Sequence, residues 1–308
     1  MNAALEQFRT TNAEISMEQV RARPLLGTIV EISAAGYSPE SVQVAIARAF
    51  EVVEKVHRLM SYQHPDSEVS CLNRWAHEKP VKVSAHTWHV LKTANAISES
   101  SDGLFDITIA PTLTRLGFLP KQQGMPKSNE KGNWRHITLL PDNQVHFARK
   151  LRIDLSGIAK GYAVDLAIQA LKDFGIMSAR INAGGDMRLF GEKSQTIHVR
   201  MPDAPAQTVP LLNLTCGSVA TSAGYFASRE HKGEWVTPLV NPLTRKACRV
   251  GQSVTVLAEE CMIADALTKI VHIDPSRSAT TLDRFNARAL IMYTDPDNGN
   301  YRIFDSSK

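Results

Sequence analysis

The stretch from Leu151 to Asp186, LRIDLSGIAKGYAVDLAIQALKDFGIMSARINAGGD, decides how the rest of the chain is read. Leu151, Ile153 and Leu155 alternate with Arg152 and Asp154, and this period of two predicts a half-buried strand. Ser156 and Gly157 break the alternation, after which Val164, Ala167, Ile168 and Leu171 fall on one apolar helical face. Gly175 sits where a helix ends, because glycine takes the left-handed conformation at no steric cost. A second strand, Ala179 to Asn182, runs into Gly184, Gly185 and Asp186. The unit brings helix-start amides, Lys160 and Asp186 to one edge. Such amides beside an ammonium suit an anionic ligand such as a phosphate. The glycines at 157, 161, 184 and 185 read equally well as turn residues, and neither G-x-x-x-x-G-K-[ST] nor G-x-G-x-x-G is present.

Working outward, 308 residues allow two domains or one integrated unit, and 43% hydrophobic residues suffice for a sizeable core. The charge is only +4, and no Lys/Arg run interleaved with aromatics supports nucleic-acid binding. Cys71, Cys216, Cys248 and Cys261 form no C-x-x-C pair, and the expectation is that they are plain core residues. The first twenty residues lack a basic region followed by an apolar one, and no transmembrane run follows. The expectation is a cytoplasmic protein, with residues 1–22 a poorly ordered extension and 23–308 the folded domain.

Toward the N-terminus, Pro24 to Ser33 reads as one strand. Ser38-Pro39-Glu40 opens an amphipathic helix that carries to about Met60. Ser61 to Asn73 reads as a polar loop feeding a short helix capped by Asp66 or Ser67, and Ser84 caps another helix. Asp106, set among the apolar residues of FDITIAP, suggests a turn cap. Lys121 to Asn133 is linker-like and reads as a mobile excursion within one fold. Strands are expected near 137–139 and 145–147, leading back to the opening unit, and then at Met187–Leu189 and, half-exposed, at Ile197–Met201, with Leu211–Leu214 and Ser218–Thr221 continuing the sheet. A helix from about Glu260 to Val271 follows, and Ala289–Tyr293 with Tyr301–Phe304 closes the chain as a hairpin around Asp295–Gly299. Asp265, Thr268 and Lys269, at i, i+3 and i+4, share one face of that helix.

DLSGIAKGYAVD and NAGGD resemble the ApbE family of FAD:protein FMN transferases. Leu26-Gly27-Thr28, PDSEVSCLN, GLFDITIAP, VATSAGY and SVTVLAEECMIADALTK match in order, from about residue 23 to 275. The resemblance implies an α+β fold: antiparallel sheets flanked by helices, an ApbE-like (T-fold-like) unit. It implies FAD as substrate, AMP as leaving group, and an acceptor flavoprotein with a Thr or Ser target; that neither nucleic acid nor a membrane is a partner is the expectation from the residues themselves. FAD contacts are implied at Leu26, Ser61, Tyr62, Gln63, Asp106, Thr108, Lys160, Gly184, Gly185, Asp186, Thr221, Ser222 and Leu239. Lys160 and Asp265 are the implied catalytic pair.

The resemblance also implies Mg²⁺, held by the Gly157 carbonyl, Asp265 and a Thr four residues on. This chain departs there, with Lys269 in place of that Thr. Either Lys269 stands in for the metal or Thr268 becomes its ligand. A second departure puts Pro238 and Asn241 where the family commonly shows His and Asp, with His231 a nearby substitute. The rival readings are a non-catalytic FAD-binding protein and an FAD pyrophosphatase giving AMP and FMN.

Overall fold

The computed structural model describes residues 17–122, 132–202, 204, 206–224, 227–248, 251–294 and 301–306. Its centre is an eight-stranded sheet in which every neighbouring pair is antiparallel. The strands are β1 (Met17–Leu25), β2 (Thr28–Gly36), β3 (Ser178–Ala183), β4 (Asp186–Phe190), β5 (Gly217–Ala223), β6 (Gln252–Ala258), β7 (Arg288–Thr294) and β8 (Tyr301–Asp305). Strand order in the sheet follows chain order, so the long excursions between strands carry the helices and the cleft.

The single strand expected over Pro24–Ser33 is a hairpin. Leu26 and Gly27 both take positive φ, the twist that a two-residue turn requires, and β1 and β2 pair across it. The boundary expected between residues 22 and 23 therefore falls inside β1. The remainder of the expected extension, residues 1–16, lies outside the described residues, as do the core of the 121–133 linker and the Asp295–Gly299 turn.

Helix α1 (Pro39–Met60) begins as read: the Ser38 hydroxyl accepts from the Ser41 amide, proline occupies the first turn, and Val42, Ala45, Ile46, Ala49, Phe50 and Val53 are buried. Helices α2 (Glu68–Trp75) and α3 (Ala85–Ser100) are capped by Ser67 and Ser84. Helix α4 (Ala110–Arg115) follows a single 3₁₀ turn. Helix α5 (Ala159–Asp173) ends on Gly175 with φ +76°, and α6 (Cys261–Ile273) and α7 (Pro275–Arg284) lie between β6 and β7. One apolar core joins β2 and β3 to α1, α3, α5 and α6.

The strand expected over Leu151–Leu155 does not form. Leu151, Ile153, Leu155 and also Asp154 are buried, so the alternation reflects packing on both sides rather than one wet face. Backbone partners come from elsewhere. The Asn73 side chain accepts from the Ile153 N–H (2.7 Å) and donates to the Ile153 carbonyl (3.0 Å), and the Asp154 N–H donates to the Ile107 carbonyl (2.8 Å). A buried extended segment must have its amides satisfied, and here a side chain does what a neighbouring strand would do. A second difference concerns 195–200 and 208–214, which pair with each other in a separate two-stranded sheet instead of continuing the main one. Of the four cysteines only Cys261 is buried; Cys71 and Cys248 are half-buried and Cys216 is exposed.

Candidate active site

Helices α5 and α6 cross so closely that a Cβ on Gly161 would overlap the Cys261 carbonyl. That contact lets each helix cap the other. The Gly161 amide, in the first turn of α5, donates to Asp265 Oδ2 on α6 (3.2 Å). The Cys261 and Met262 amides, in the first turn of α6, donate to the two carboxylate oxygens of Asp165 on α5 (2.9 and 2.8 Å). Neither helix has a side-chain cap of its own, so each carboxylate meets the positive end of its neighbour's dipole. Sequence reading missed Asp165, because nothing in a spacing of 96 residues links it to Cys261. It also assigned the α5 amides to a ligand, whereas the Gly161 amide belongs to Asp265.

Beside this crossing two carboxylates, Asp186 and Asp265, meet two ammoniums, Lys160 and Lys269. Lys160 pairs with Asp186 and stands 3.8 Å from Asp265 Oδ2. Lys269 pairs with Asp265 Oδ1 and also donates to the Asp265 carbonyl (2.8 Å). Asp265 is fully buried and Asp186 nearly so. Burial raises the Asp186 carboxyl pKa, the Asp265 charge adds to the rise, and Lys160 and Lys269 hold it to about 6. Burial pushes Asp265 the same way, but Lys160 and Lys269 outweigh it and hold this carboxyl below its ordinary value. Burial also works against a charged Lys160, and Asp186 and Asp265 overcome it, so Lys160 titrates above an ordinary lysine.

Two cavities meet at these residues. One, of about 490 Å³, is lined by Leu104, Phe105, Asp106, Phe118, Leu239 and Gly157 among others. The other, of about 790 Å³, is lined by Thr28, Asn182, Gly184, Gly185, Asp186 and Thr221 among others. Lys160, Lys269, Ser222, Ala223 and Ala227 belong to both walls, so the lysines sit at the seam of one continuous cleft.

The other expected residues divide plainly. Gly184 and Gly185, with φ +64° and +102°, turn β3 into β4 at the cavity wall, and the Gly185 amide donates to Asn182 Oδ1 (2.9 Å). Thr221 faces the larger cavity with its hydroxyl 3.0 Å from that of Thr255. Asp106 has two structural features of note. It faces the smaller cavity, and it caps the 3₁₀ turn by accepting from Thr108 (2.8 Å) and Trp134 (3.2 Å) amides, burial raising its pKa against those bonds.

Leu26, Ser61, Tyr62, Gln63 and Thr108 line neither cavity. Gly27 and Thr28 take the cleft position expected of Leu26. Tyr62 is buried with its hydroxyl 3.4 Å from that of Thr114, and Ser61 accepts from the His64 amide (3.2 Å). The buried Thr108 hydroxyl donates to the Gly132 carbonyl (3.2 Å). His231 also lies off both walls, whereas Pro238 is in the wall of the smaller cavity. Asp154, not singled out as a site residue in the sequence, is buried at the smaller cavity with its carboxylate on the Ser156 hydroxyl and amide.

A divalent cation does not fit this arrangement. Asp265 Oδ1 is taken by the Lys269 ammonium and Oδ2 by the Gly161 amide. Thr268 is fully buried and its hydroxyl donates to the Asp265 carbonyl (2.7 Å), so it offers no ligand to the cleft. Among the described residues, no group of three His, Cys, Asp or Glu side chains is placed to hold a metal ion.

The fold and the cleft define an α+β protein with a charged seam between two cavities, one of them walled by Phe105, Phe118 and Leu239. A sequence model of the ApbE family matches residues 26–291, and the chain belongs to that family. It is 28% identical to the FAD:protein FMN transferase of Vibrio cholerae over 271 residues, 83% of this chain and 81% of the relative. It is 24% identical to the one from Chlamydia pneumoniae over 275 residues, 85% of this chain and 84% of the relative. Among solved structures, the ApbE protein of Thermotoga maritima superposes with a TM-score of 0.80 at 25% identity, covering 93% of this chain and 96% of that one. The flavin transferase ApbE from Vibrio cholerae gives 0.79 at 24% identity, covering 95% and 98%. No helix among the described residues is long and apolar enough to cross a membrane.

Proposed function

We propose that this protein is an FAD:protein FMN transferase that attaches FMN to a Thr or Ser hydroxyl of a cytoplasmic acceptor flavoprotein. The observation that carries this reading is the pair of ammoniums at the seam between the two cavities. FAD is itself two ring systems joined through a diphosphate, and the apolar cavity with Phe105 and Phe118 suits the larger, flatter one. In the reaction the acceptor oxygen bonds to the FMN phosphorus and the P–O bond to AMP breaks. AMP leaves with the bonding electrons, and the hydroxyl proton passes to water. The work left to the chain is positioning and charge stabilisation, which fits a site whose fixed features are Lys160, Lys269 and backbone turns.

One observation favours a second reading, a flavin-binding relative without the chemistry: Pro238, which carries no proton, lines the cavity where the family commonly has His. Both readings are tested by incubating the purified protein with FAD and an acceptor peptide and following AMP, free FMN and peptide mass. FMN mass on the peptide supports transfer. AMP with free FMN identifies a pyrophosphatase, and tight FAD binding without AMP identifies the non-catalytic relative.

A further inference from the structure

The disagreement between the implied Mg²⁺ and the residues present has its own explanation at Lys269. We propose that the Lys269 ammonium is the chain's built-in counter-cation for the diphosphate, so that FAD binds and reacts without a divalent metal. This inference rests on the FMN-transfer reading above.

Three observations carry it. The ammonium sits on two of the three Asp265 oxygens, the carboxylate Oδ1 and the carbonyl (2.8 Å), while the third accepts from the Gly161 amide. The stem fills the space toward the opposite turn: a Cβ on Gly157 would stand 3.5 Å from Lys269 Cε, an ordinary packing contact. A cation lodged between Asp265 and Gly157 would need the volume that this methylene chain occupies. Finally, the head group lies in the walls of both cavities, where the two halves of the nucleotide join. An ammonium has three donors, and the two bonds to Asp265 leave one for a phosphate oxygen. As the P–O bond to AMP breaks, the leaving phosphate gains charge, and Lys160 with Lys269 offsets it without any change in redox state.

The test is FAD binding by the full-length protein, measured by flavin fluorescence in excess chelator and in excess Mg²⁺, alongside calorimetric titration of MgCl₂ into the FAD-loaded protein. The wild-type dissociation constant is expected to agree within about twofold between the two conditions, with no saturable Mg²⁺ heat. Lys269→Thr, which reopens the volume, should bind FAD about tenfold more weakly in chelator and recover in Mg²⁺, whereas Lys269→Arg should stay metal-independent. Mg²⁺-dependent FAD binding by the wild type overturns the inference alone, and so does Lys269→Thr binding FAD equally well in both conditions. Absence of FAD binding by the wild type in both conditions overturns the FMN-transfer reading and the inference with it. The wild-type measurements decide the matter even where a variant misfolds.

Discussion

The charged seam of the cleft is held by two helices that cap each other, whereas the apolar half is held by irregular chain. At the seam, Lys160, Asp265 and Lys269 stand on α5 and α6, and their positions follow from helix geometry once Gly161 has let the helices touch. In the apolar half, the segments around 104–109, 151–157 and 238–242 contribute little regular backbone pairing. Single side chains do that work: Asn73 on Ile153, Asp106 on Thr108 and Trp134, and Arg245 on the Thr108 carbonyl (3.1 Å). The difference teaches where charge can be placed. Two buried carboxylates paired with half-buried ammoniums need rigid supports, because a small displacement leaves a buried charge unpaired. An apolar wall tolerates irregular backbone provided each amide finds some partner.

That contrast can be broken first at the seam. Lys160→Met leaves Asp186 and Asp265 facing one remaining ammonium, and removing one member of a buried ion pair costs about 3–5 kcal/mol. The loss should be largest at and above neutral pH and should shrink in acid, as the carboxylates take up protons. Denaturant unfolding at several pH values would check this, and a loss that is flat in pH would show that the cluster is not electrostatically coupled. FAD binding should fall with it. The corresponding change in the apolar half, Asn73→Leu, removes the partners of one buried N–H and one buried carbonyl. At about 1–3 kcal/mol for each unsatisfied group, with some relief by local shifts, about 2–4 kcal/mol is expected. Hydrogen exchange should show the Ile153 amide losing protection before the α5 amides do. Equal loss in both places would mean that the two halves fold as one unit and that the contrast is false.

Most of the helical frame and the seam was legible in the sequence. Ser38, Ser67, Ser84 and Gly175 announce helix ends through local chemistry, and Lys160, Asp186 and Asp265 stand in motifs. What the sequence hid depends on pairings across the fold. The alternation at 151–155 looks the same whether a strand or an asparagine satisfies the backbone, and Asn73 lies 80 residues away. Thr268 and Lys269 are neighbours in one motif, yet the 100° between successive helical residues points one hydroxyl to the core and the other head group to the cleft. Tyr62 reads as an aromatic platform because it follows α1 in a polar loop, but it is buried with its hydroxyl near that of Thr114.

The smallest expected effect sharpens the comparison by asking what the seam's charge does to a ligand. Above a pH of about 6, Asp186 and Asp265 together cancel Lys160 and Lys269; below it, protonation of Asp186 leaves one net positive charge at the seam. The sign follows from the raised pKa: the free protein holds this proton at higher pH than an ordinary Asp, and a bound diphosphate favours the protonated form further. FAD binding is then linked to uptake of up to one proton, and affinity falls as pH rises through and beyond 6, with a slope no steeper than tenfold per unit. Asp265 does not add to this slope, since its carboxyl is held below its ordinary value, and Cys261, buried beside them, titrates well above its own. Asp186→Asn should flatten the profile while keeping a polar partner for Lys160. Flavin fluorescence titrations from mildly acid to mildly alkaline pH would settle it: a wild-type profile as flat as that of Asp186→Asn would remove Asp186 from the ligand's electrostatics and leave the two lysines as its sole charged partners at the seam.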